Sequence, residues 1–336
     1  MRMLNRLTRT LATGLIWIFG SAAARPNNPI TEIELSSPAN HLQAIVAAPD
    51  GTVWATACAK PKVIRLGKDG QITEYPVPGT SAKLLQGIIV GADGNVWFTS
   101  PSDNTIRRIT RQGSFTGEFK IPTIPDKGGA TSSFPRGIAA APDGNVWFAE
   151  LHGNKIGRIT PKGELTEFPI PTPDSAPYQP AFDKSGSVWF CESTVNKVAR
   201  LDPKTGVIDE FPLPTKAALP RDIAFGPDGQ IWFSENQADQ IGRITSEGKV
   251  TEYPLPKGSR PVGIAAGADG NIWISLLRKG QIARMTPEGN VTTFDIPSGP
   301  KAEPFGLCAG FDGTIWFAEQ NQCNRIGRLN LKAAMK

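Results

Sequence analysis

The sequence predicts an all-β chain folded as a seven-bladed β-propeller of four-stranded antiparallel blades. Three observations carry that prediction. Tryptophans recur at Trp54, Trp97, Trp147, Trp189, Trp232, Trp273 and Trp316, with spacings of 43, 50, 42, 43, 41 and 43 residues. A repeat of about 40–45 residues with four strand-like runs per copy is the signature of a propeller blade. A tight turn precedes almost every tryptophan, as Asp50-Gly51, Asp93-Gly94, Asp143-Gly144, Asp228-Gly229, Asp269-Gly270 and Asp312-Gly313, with Ser185-Gly186 as the variant. Finally, the two ends of the chain read as complementary parts of one blade.

The elements follow in order within one copy, residues 135–171. Gly137-Ile138-Ala139-Ala140 is a short apolar run, strand A, closed by the turn Pro142-Asp143-Gly144-Asn145. Pairs such as Asp-Gly tolerate the positive φ that tight hairpins need. Val146 to Glu150 is strand B. After a loop over 151–154, Lys155-Ile156-Gly157-Arg158-Ile159-Thr160 alternates polar and apolar, as a half-buried strand C does. Lys162-Gly163 turns the chain into strand D, Leu165-Thr166-Glu167-Phe168, which ends at Pro169 and Pro171. Gly70, Gly113, Gly163, Gly206, Gly248 and Gly289 mark the same C–D turn along the chain. The last copy stops after its third strand, near Ile326-Gly327-Arg328-Leu329, while Thr31-Glu32-Ile33-Glu34-Leu35 matches the fourth strand Thr251-Glu252-Tyr253-Pro254-Leu255. The N-terminal strand is therefore expected to complete the last blade and pair edges that would otherwise stay open. Residues 25–336 then form a single domain.

Residues 1–24 read as a secretory signal. Arg2, Arg6 and Arg9 form a basic start, Leu11 to Phe19 an apolar stretch too short to span a membrane, and Ala22-Ala23-Ala24 a small-residue cleavage site. An uncleaved anchor is the other reading. Trp17 belongs to this segment. The expected location is periplasmic or secreted, with no membrane span after cleavage. The whole chain carries 36 Lys+Arg against 31 Asp+Glu, and cleavage would remove three arginines, leaving a net charge of about +2. No basic patch interleaved with aromatics appears, so nucleic acid is not an expected partner. Of the four cysteines, Cys58 and Cys323 fall in equivalent loops of blades that adjoin in a closed ring, which leaves a disulfide open in an oxidising compartment. Cys191 and Cys308 read as small buried apolar residues. A closed ring has no edge that forces a dimer, so a monomer is expected.

Strands that alternate up and down bring the B–C and D–A loops to one face. The residue at the start of each strand A points into the mouth of the central channel there. Blade by blade it is Gln43, Gln86, Arg136, Tyr178, Arg221, Val262 and Phe305. A structural position tends to repeat one apolar type, whereas this one varies and carries two arginines. It reads as a surface for a small-molecule or peptide-like ligand, with a solvated rim as the plain alternative. Three residues after each tryptophan stand Ala57, Ser100, Glu150, Glu192, Glu235, Leu276 and Glu319. Carboxylates gathered on one face suit a divalent ion, although a repeated residue more commonly serves the repeat. The two histidines, His41 and His152, belong to loops of the same face and lack metal-ligand spacing. The longest insertion, 123–134, is a D–A loop that reads as a lid or as a tolerated insertion.

Gly144-Asn145-Val146-Trp147-Phe148-Ala149-Glu150, followed by Asn154 to Thr160 and by Leu165-Thr166-Glu167-Phe168-Pro169-Ile170-Pro171, resembles the streptogramin B lyase (virginiamycin B lyase) family. The resemblance runs from Thr31 to Leu329. It implies an enzyme that opens a cyclic depsipeptide by Mg²⁺-dependent elimination at its ester linkage. A base removes the proton α to a carbonyl while the metal stabilises the developing charge. It also implies two histidines at the rim position of the last two blades, with glutamates nearby. Here those positions hold Val262 and Phe305. Glu303 matches the family's glutamate, and Gln322 stands where another is expected, with Glu319 able to compensate.

Two main functional readings follow. One is a lyase-like enzyme using Glu303, Glu319, His41 and His152. The other is a non-catalytic periplasmic binding or scaffold propeller built on Arg136, Tyr178 and Arg221, whose arginines suit a carboxylate or phosphate. A third, a lactone hydrolase of another propeller type, needs a compact cluster of carboxylate and amide ligands that the sequence does not assemble.

Overall fold

Six repeats each fold into one four-stranded antiparallel sheet, and the seventh sheet joins the last three strands to the N-terminal one. The seven sheets form a ring in a computed structural model that describes residues 28–37, 41–79, 84–123, 132–320 and 324–335. Blade 3 is typical: strands A to D are Pro135–Ala140, Val146–Glu150, Lys155–Ile159 and Leu165–Pro169. Strand B is buried along its whole length in every blade, and strand D at the outside is made mostly of half-buried and exposed residues. Apolar residues of strands A, B and C from adjacent blades make the core, so the hydrophobic clusters lie between blades. The proposed signal segment and Trp17 lie outside the described residues.

The tryptophan is the centre of each blade. Trp147 stacks on Phe168 of strand D at 5.3 Å, and the Arg158 guanidinium lies 5.5 Å from its ring. The same pair recurs at Trp54–Tyr75, Trp97–Phe119, Trp189–Phe211, Trp232–Tyr253 and Trp273–Phe294, with centroids 5.2–5.8 Å apart. Offset aromatic pairs add roughly 0.5–1.5 kcal/mol beyond their area burial. In blades 2, 5 and 6 the indole N–H also donates to the turn aspartate, for example Trp232 Nε1 to Asp228 Oδ1 at 2.9 Å, while in blade 4, whose turn is Ser185-Gly186, it donates to Asp183 two residues earlier at 2.8 Å. The recurring aspartate thus shapes the turn and satisfies a buried donor.

The ring closes as expected from the ends of the chain. Ile30–Glu34 pairs with Arg325–Asn330, Ile33 opposite Ile326, in the sheet that contains Pro304–Ala309 and Thr314–Glu319. Beyond the strands, a four-residue helix, Leu331–Ala334, is started by the Asn330 side chain, which accepts from the Lys332 and Ala333 amides.

Candidate functional site at the channel mouth

Strand A of six blades carries a register shift near its start, as between Pro135 and Ile138 or between Pro220 and Ile223. A bulge of this kind re-aims a side chain, and here it sits where the rim residue must turn inward. The residue before strand A holds a positive φ at His41, Phe134, Ala176, Leu219, Arg260 and Glu303. Its carbonyl accepts an amide from the B–C loop, as Glu303 O does from Gln320 at 3.2 Å and His41 O from Cys58 at 3.3 Å. This tie fixes where each strand A begins. The next residue but one is the rim position, and all seven rim residues line one cavity of about 80 Å³.

That cavity is small because its side chains fill it. Two guanidinium groups approach the Tyr178 ring, Arg136 at 4.2 Å and Arg221 at 5.0 Å from its centroid. Arg221 Nη2 donates to the Tyr178 hydroxyl at 3.1 Å, and its guanidinium also stands 5.4 Å from the Phe305 ring. Gln43, Gln86 and Val262 complete the ring and are buried. Burial, opposed by Tyr178 and reinforced by the like charge of Arg221, lowers the Arg136 pKa. Arg221 Nε is buried without a hydrogen-bond partner. Two guanidinium groups this close leave an unbalanced positive potential at the mouth.

Two polar residues at the channel wall were not anticipated. The position after the rim is Ala44, Gly87, Gly137, Gly263 or Gly306 in five blades, because the adjacent strand A lies against it. A Cβ on Gly263 would stand 2.4 Å from Phe305 O. Blades 4 and 5 instead hold Gln179 and Asp222. Gln179 Nε2 donates to Ile138 O at 2.9 Å. Asp222 accepts the Ile223 amide at 3.0 Å and the Ile264 amide at 3.1 Å, tying blade 5 to blade 6. Desolvation by burial raises the Asp222 pKa to about 7, opposed by these two amides and by Arg221. Asp222 keeps some accessible surface, but that surface faces the narrow channel, so the protein around it still desolvates it. The departure from small residues in two copies of a repeat was the available signal.

The remaining predicted residues stand apart from this cavity. Glu150, Glu192, Glu235 and Glu319 are fully buried inside their blades. Burial first, and then a strand-D carboxylate of the same blade (Glu167, Glu210, Glu252 or Glu32), raises their pKa values to about 8, 8, 8 and 9. Each is a neutral acid at neutral pH beside a carboxylate. The outer carboxylates are latched to the preceding blade: Thr172 donates its amide and hydroxyl to Glu210 at 3.0 and 2.7 Å, and Thr215 does the same to Glu252 at 3.0 and 2.8 Å. His41 and Glu303 occupy the positive-φ position outside the rim. His152 packs its ring on Phe134 at 4.8 Å. Gln322 and Cys323 lie outside the described residues, as does most of the 123–134 loop. Cys58 is a buried free thiol that donates to Leu85 O at 3.0 Å, and burial pushes its pKa up to about 11.

The model of the virginiamycin B lyase family matches residues 22–177 and 127–336. The chain belongs to this family. Among solved structures it is similar to the virginiamycin B lyase of Staphylococcus aureus, at 36% identity and a TM-score of 0.82, covering 90% of this chain and 99% of that one. A streptogramin B lyase structure matches at 35% identity and a TM-score of 0.82, covering 90% and 97%. A catalytically inactive histidine-to-alanine variant of the Staphylococcus aureus enzyme with quinupristin matches at 35% identity and 0.82, covering 90% and 99%. Among curated proteins, none matches. In this member of the virginiamycin B lyase family the mouth offers little to a metal. Mg²⁺ takes near-octahedral oxygen ligands, whereas both Asp222 oxygens accept backbone amides and two arginines face the same space. Among the described residues no group of three or more His, Cys, Asp or Glu gathers to hold an ion. The residues at the mouth do not fit Mg²⁺.

Proposed function

We propose that this chain is a ligand-binding member of the virginiamycin B lyase family whose channel mouth holds a small carboxylate- or phosphate-bearing molecule. The observation that carries the reading is the Arg136–Tyr178–Arg221 stack, two cations on one aromatic ring with Arg221 Nε unpaired. A guanidinium binds carboxylate and phosphate through paired N–H donors, and charge-assisted bonds of this kind are roughly twice as strong as neutral ones. Arg221 would anchor the anion, with Arg136 as the second cation and Gln43 and Gln86 as neutral donors on the opposite arc. Phe305 and Val262 offer apolar contact to the ligand body.

The same geometry argues against the elimination that the family name describes. Removal of a proton α to a carbonyl requires a base within hydrogen-bond reach of it. The cavity lining contains no imidazole, and its one carboxylate, Asp222, is bonded to two amides. A relative with one histidine replaced is described as catalytically inactive, and here the two rim positions in question hold Val262 and Phe305. Incubation with quinupristin and Mg²⁺ is expected to leave the macrocycle intact by mass spectrometry, and a linear product would refute this reading. In a thermal-shift screen of carboxylates and phosphate esters, a hit is expected to vanish in Arg221→Ala and to weaken in Arg136→Ala. A hit that survives both would exclude the mouth as its site.

Residues 1–24 are proposed to direct export to the periplasm or the medium and to be cleaved before Arg25. Among the described residues no helix is long and apolar enough to cross a membrane. Cell fractionation followed by N-terminal sequencing tests this.

A further inference from the structure

We propose that the seam between blades 7 and 1, on the face opposite the channel mouth, is a second binding site that takes a planar aromatic anion. Six seams of the ring show what normally closes such a position. In blades 1 to 6 a strand-D ring stacks on the blade tryptophan. In blades 1, 2, 4 and 5 that ring also presses on the turn glycine of the next blade: a Cβ on Gly113, Gly163, Gly248 or Gly289 would meet Tyr75, Phe119, Phe211 or Tyr253 at 2.1–2.9 Å. Blade 7 takes its strand D from the N-terminal segment, and the aromatic position there is Ile33, opposite Ile326. Trp316 therefore has an arginine, Arg328 at 5.3 Å, but no ring partner among the described residues. It is 8% exposed, against 2% or less for the other six blade tryptophans. On the far side of the seam, Gly70 has nothing within 4 Å of a Cβ.

Polar ties that cross other seams take a different form here as well. Arg200 donates to Ser246 O at 2.8 Å and Arg243 to Pro287 O at 3.1 Å, each in the next blade's C–D turn, and Arg111 reaches Asp50 at 3.3 Å. In blade 7, Arg328 makes the own-blade contact to the turn aspartate, Asp312 at 3.4 Å, that Arg243 also makes to Asp228 at 3.4 Å, but no side-chain bond across the seam among the described residues. Lys68, at the position of Arg111, makes no ion pair among the described residues. At this seam lies a cleft of about 420 Å³ between Trp316, Arg328 and Phe311 on one wall and Val53, Leu66 and Lys68 on the other. That volume lies in the range of small-molecule sites, roughly 300–1,000 Å³. Phe311 is 71% exposed at its rim, where Pro49, Pro142 and Pro227 stand in other blades.

The chemistry of the ligand follows from these walls. A flat ring would lie in this cleft against Trp316 and Phe311, beside the tryptophan that Ile33 covers less fully than a ring does in the other blades. The charges on the cleft are Lys68 and Arg328 against Asp312, a net positive set that favours an anionic substituent beside Lys68.

Naphthoate titrated into isotope-labelled protein, with the tryptophan indole N–H resonances followed by NMR, tests the proposal. The Trp316 resonance, identified by its loss in Trp316→Phe, is expected to shift saturably while those of the other blades stay still. Ile33→Phe, which rebuilds the ring of the other blades, is expected to abolish the shift. Lys68→Gln, at an exposed position, is expected to weaken binding about tenfold, and it decides alone if the Ile33→Phe resonances show misfolding. Arg221→Ala is expected to change nothing. An unmoved Trp316, unchanged affinity in Lys68→Gln or in folded Ile33→Phe, or a shift lost with Arg221 would each overturn the proposal.

Discussion

Arg221 makes three contacts: a hydrogen bond to Tyr178, a face contact with the same ring, and one with Phe305 two blades away. Its neighbour in sequence, Asp222, turns the other way into the wall between blades 5 and 6. The pair makes ligand affinity at the mouth depend on pH. With Asp222 raised to about 7 by burial, the carboxyl gains a proton as pH falls through neutrality, and Arg221 loses the counter-charge beside it. Anion binding is therefore expected to tighten between about pH 8 and pH 6, measured by calorimetry. Asp222→Asn should flatten that dependence, and a dependence that persists in this variant would exclude Asp222 as its source. Asp222→Asn should also cost about 1–3 kcal/mol of stability, since an amide nitrogen would face a backbone N–H where an oxygen now accepts it.

At the scale of the blade, the tryptophan between a strand-C arginine and a strand-D ring is the repeating unit of stability. Trp232→Ala is expected to destabilise the protein by about 3–5 kcal/mol, read from denaturant unfolding. The carboxyl pairs set the pH dependence of folding. Glu150, Glu192, Glu235 and Glu319 hold protons up to about 8, 8, 8 and 9, whereas their ordinary value is 4.5. The unfolded chain releases those protons near 4.5, so the folded state binds more protons across the window between, and stability falls as pH rises through it. The partners Glu167 and Glu210 have pKa values lowered from 4.5 by their lysine and threonine donors, which outweigh their own burial, so their contribution is lost as pH falls below that value. Maximum Tm is expected near mildly acidic pH, with a decline toward pH 8. Glu192→Gln, which keeps the shape without the titration, should reduce the slope. A slope unchanged in the variant would show that this pair does not contribute.

At the scale of the molecule, closure depends on one short strand. Ile30–Glu34 supplies the outer edge of blade 7, and Leu35 continues into the core shared with blade 1. Deleting residues 28–37 is expected to expose the Arg325–Asn330 edge, lower Tm and promote association through that edge, seen as higher-mass species in size-exclusion chromatography. A deletion variant that stays monomeric with unchanged Tm would show that the other blades hold the ring alone. This strand also explains why the seam differs. A segment far from blade 7 in sequence supplies Ile33 where six in-register copies supply a ring, and the same seam holds the cleft beside Trp316.

The sequence by itself determined the blades, their number, the way the ring closes, and which residue of each copy reaches the channel. These are legible because a blade is local: Trp147, Asp143-Gly144 and Phe168 meet within one copy, and repetition puts every copy in register. It also exposed Val262 and Phe305 as departures, because a register makes departures visible. Only the tertiary structure decided that Arg136 and Arg221 share Tyr178, since the spacing between rim residues of different blades depends on how tightly the inner strands pack. It alone set Glu319 beside Glu32, from opposite ends of the chain, which turns a candidate catalytic carboxylate into a buried neutral acid of the blade. The Asp222 bond to Ile264 and the open seam at Trp316 are likewise contacts between blades. Their geometry comes from the closure of the whole ring, which no single repeat encodes.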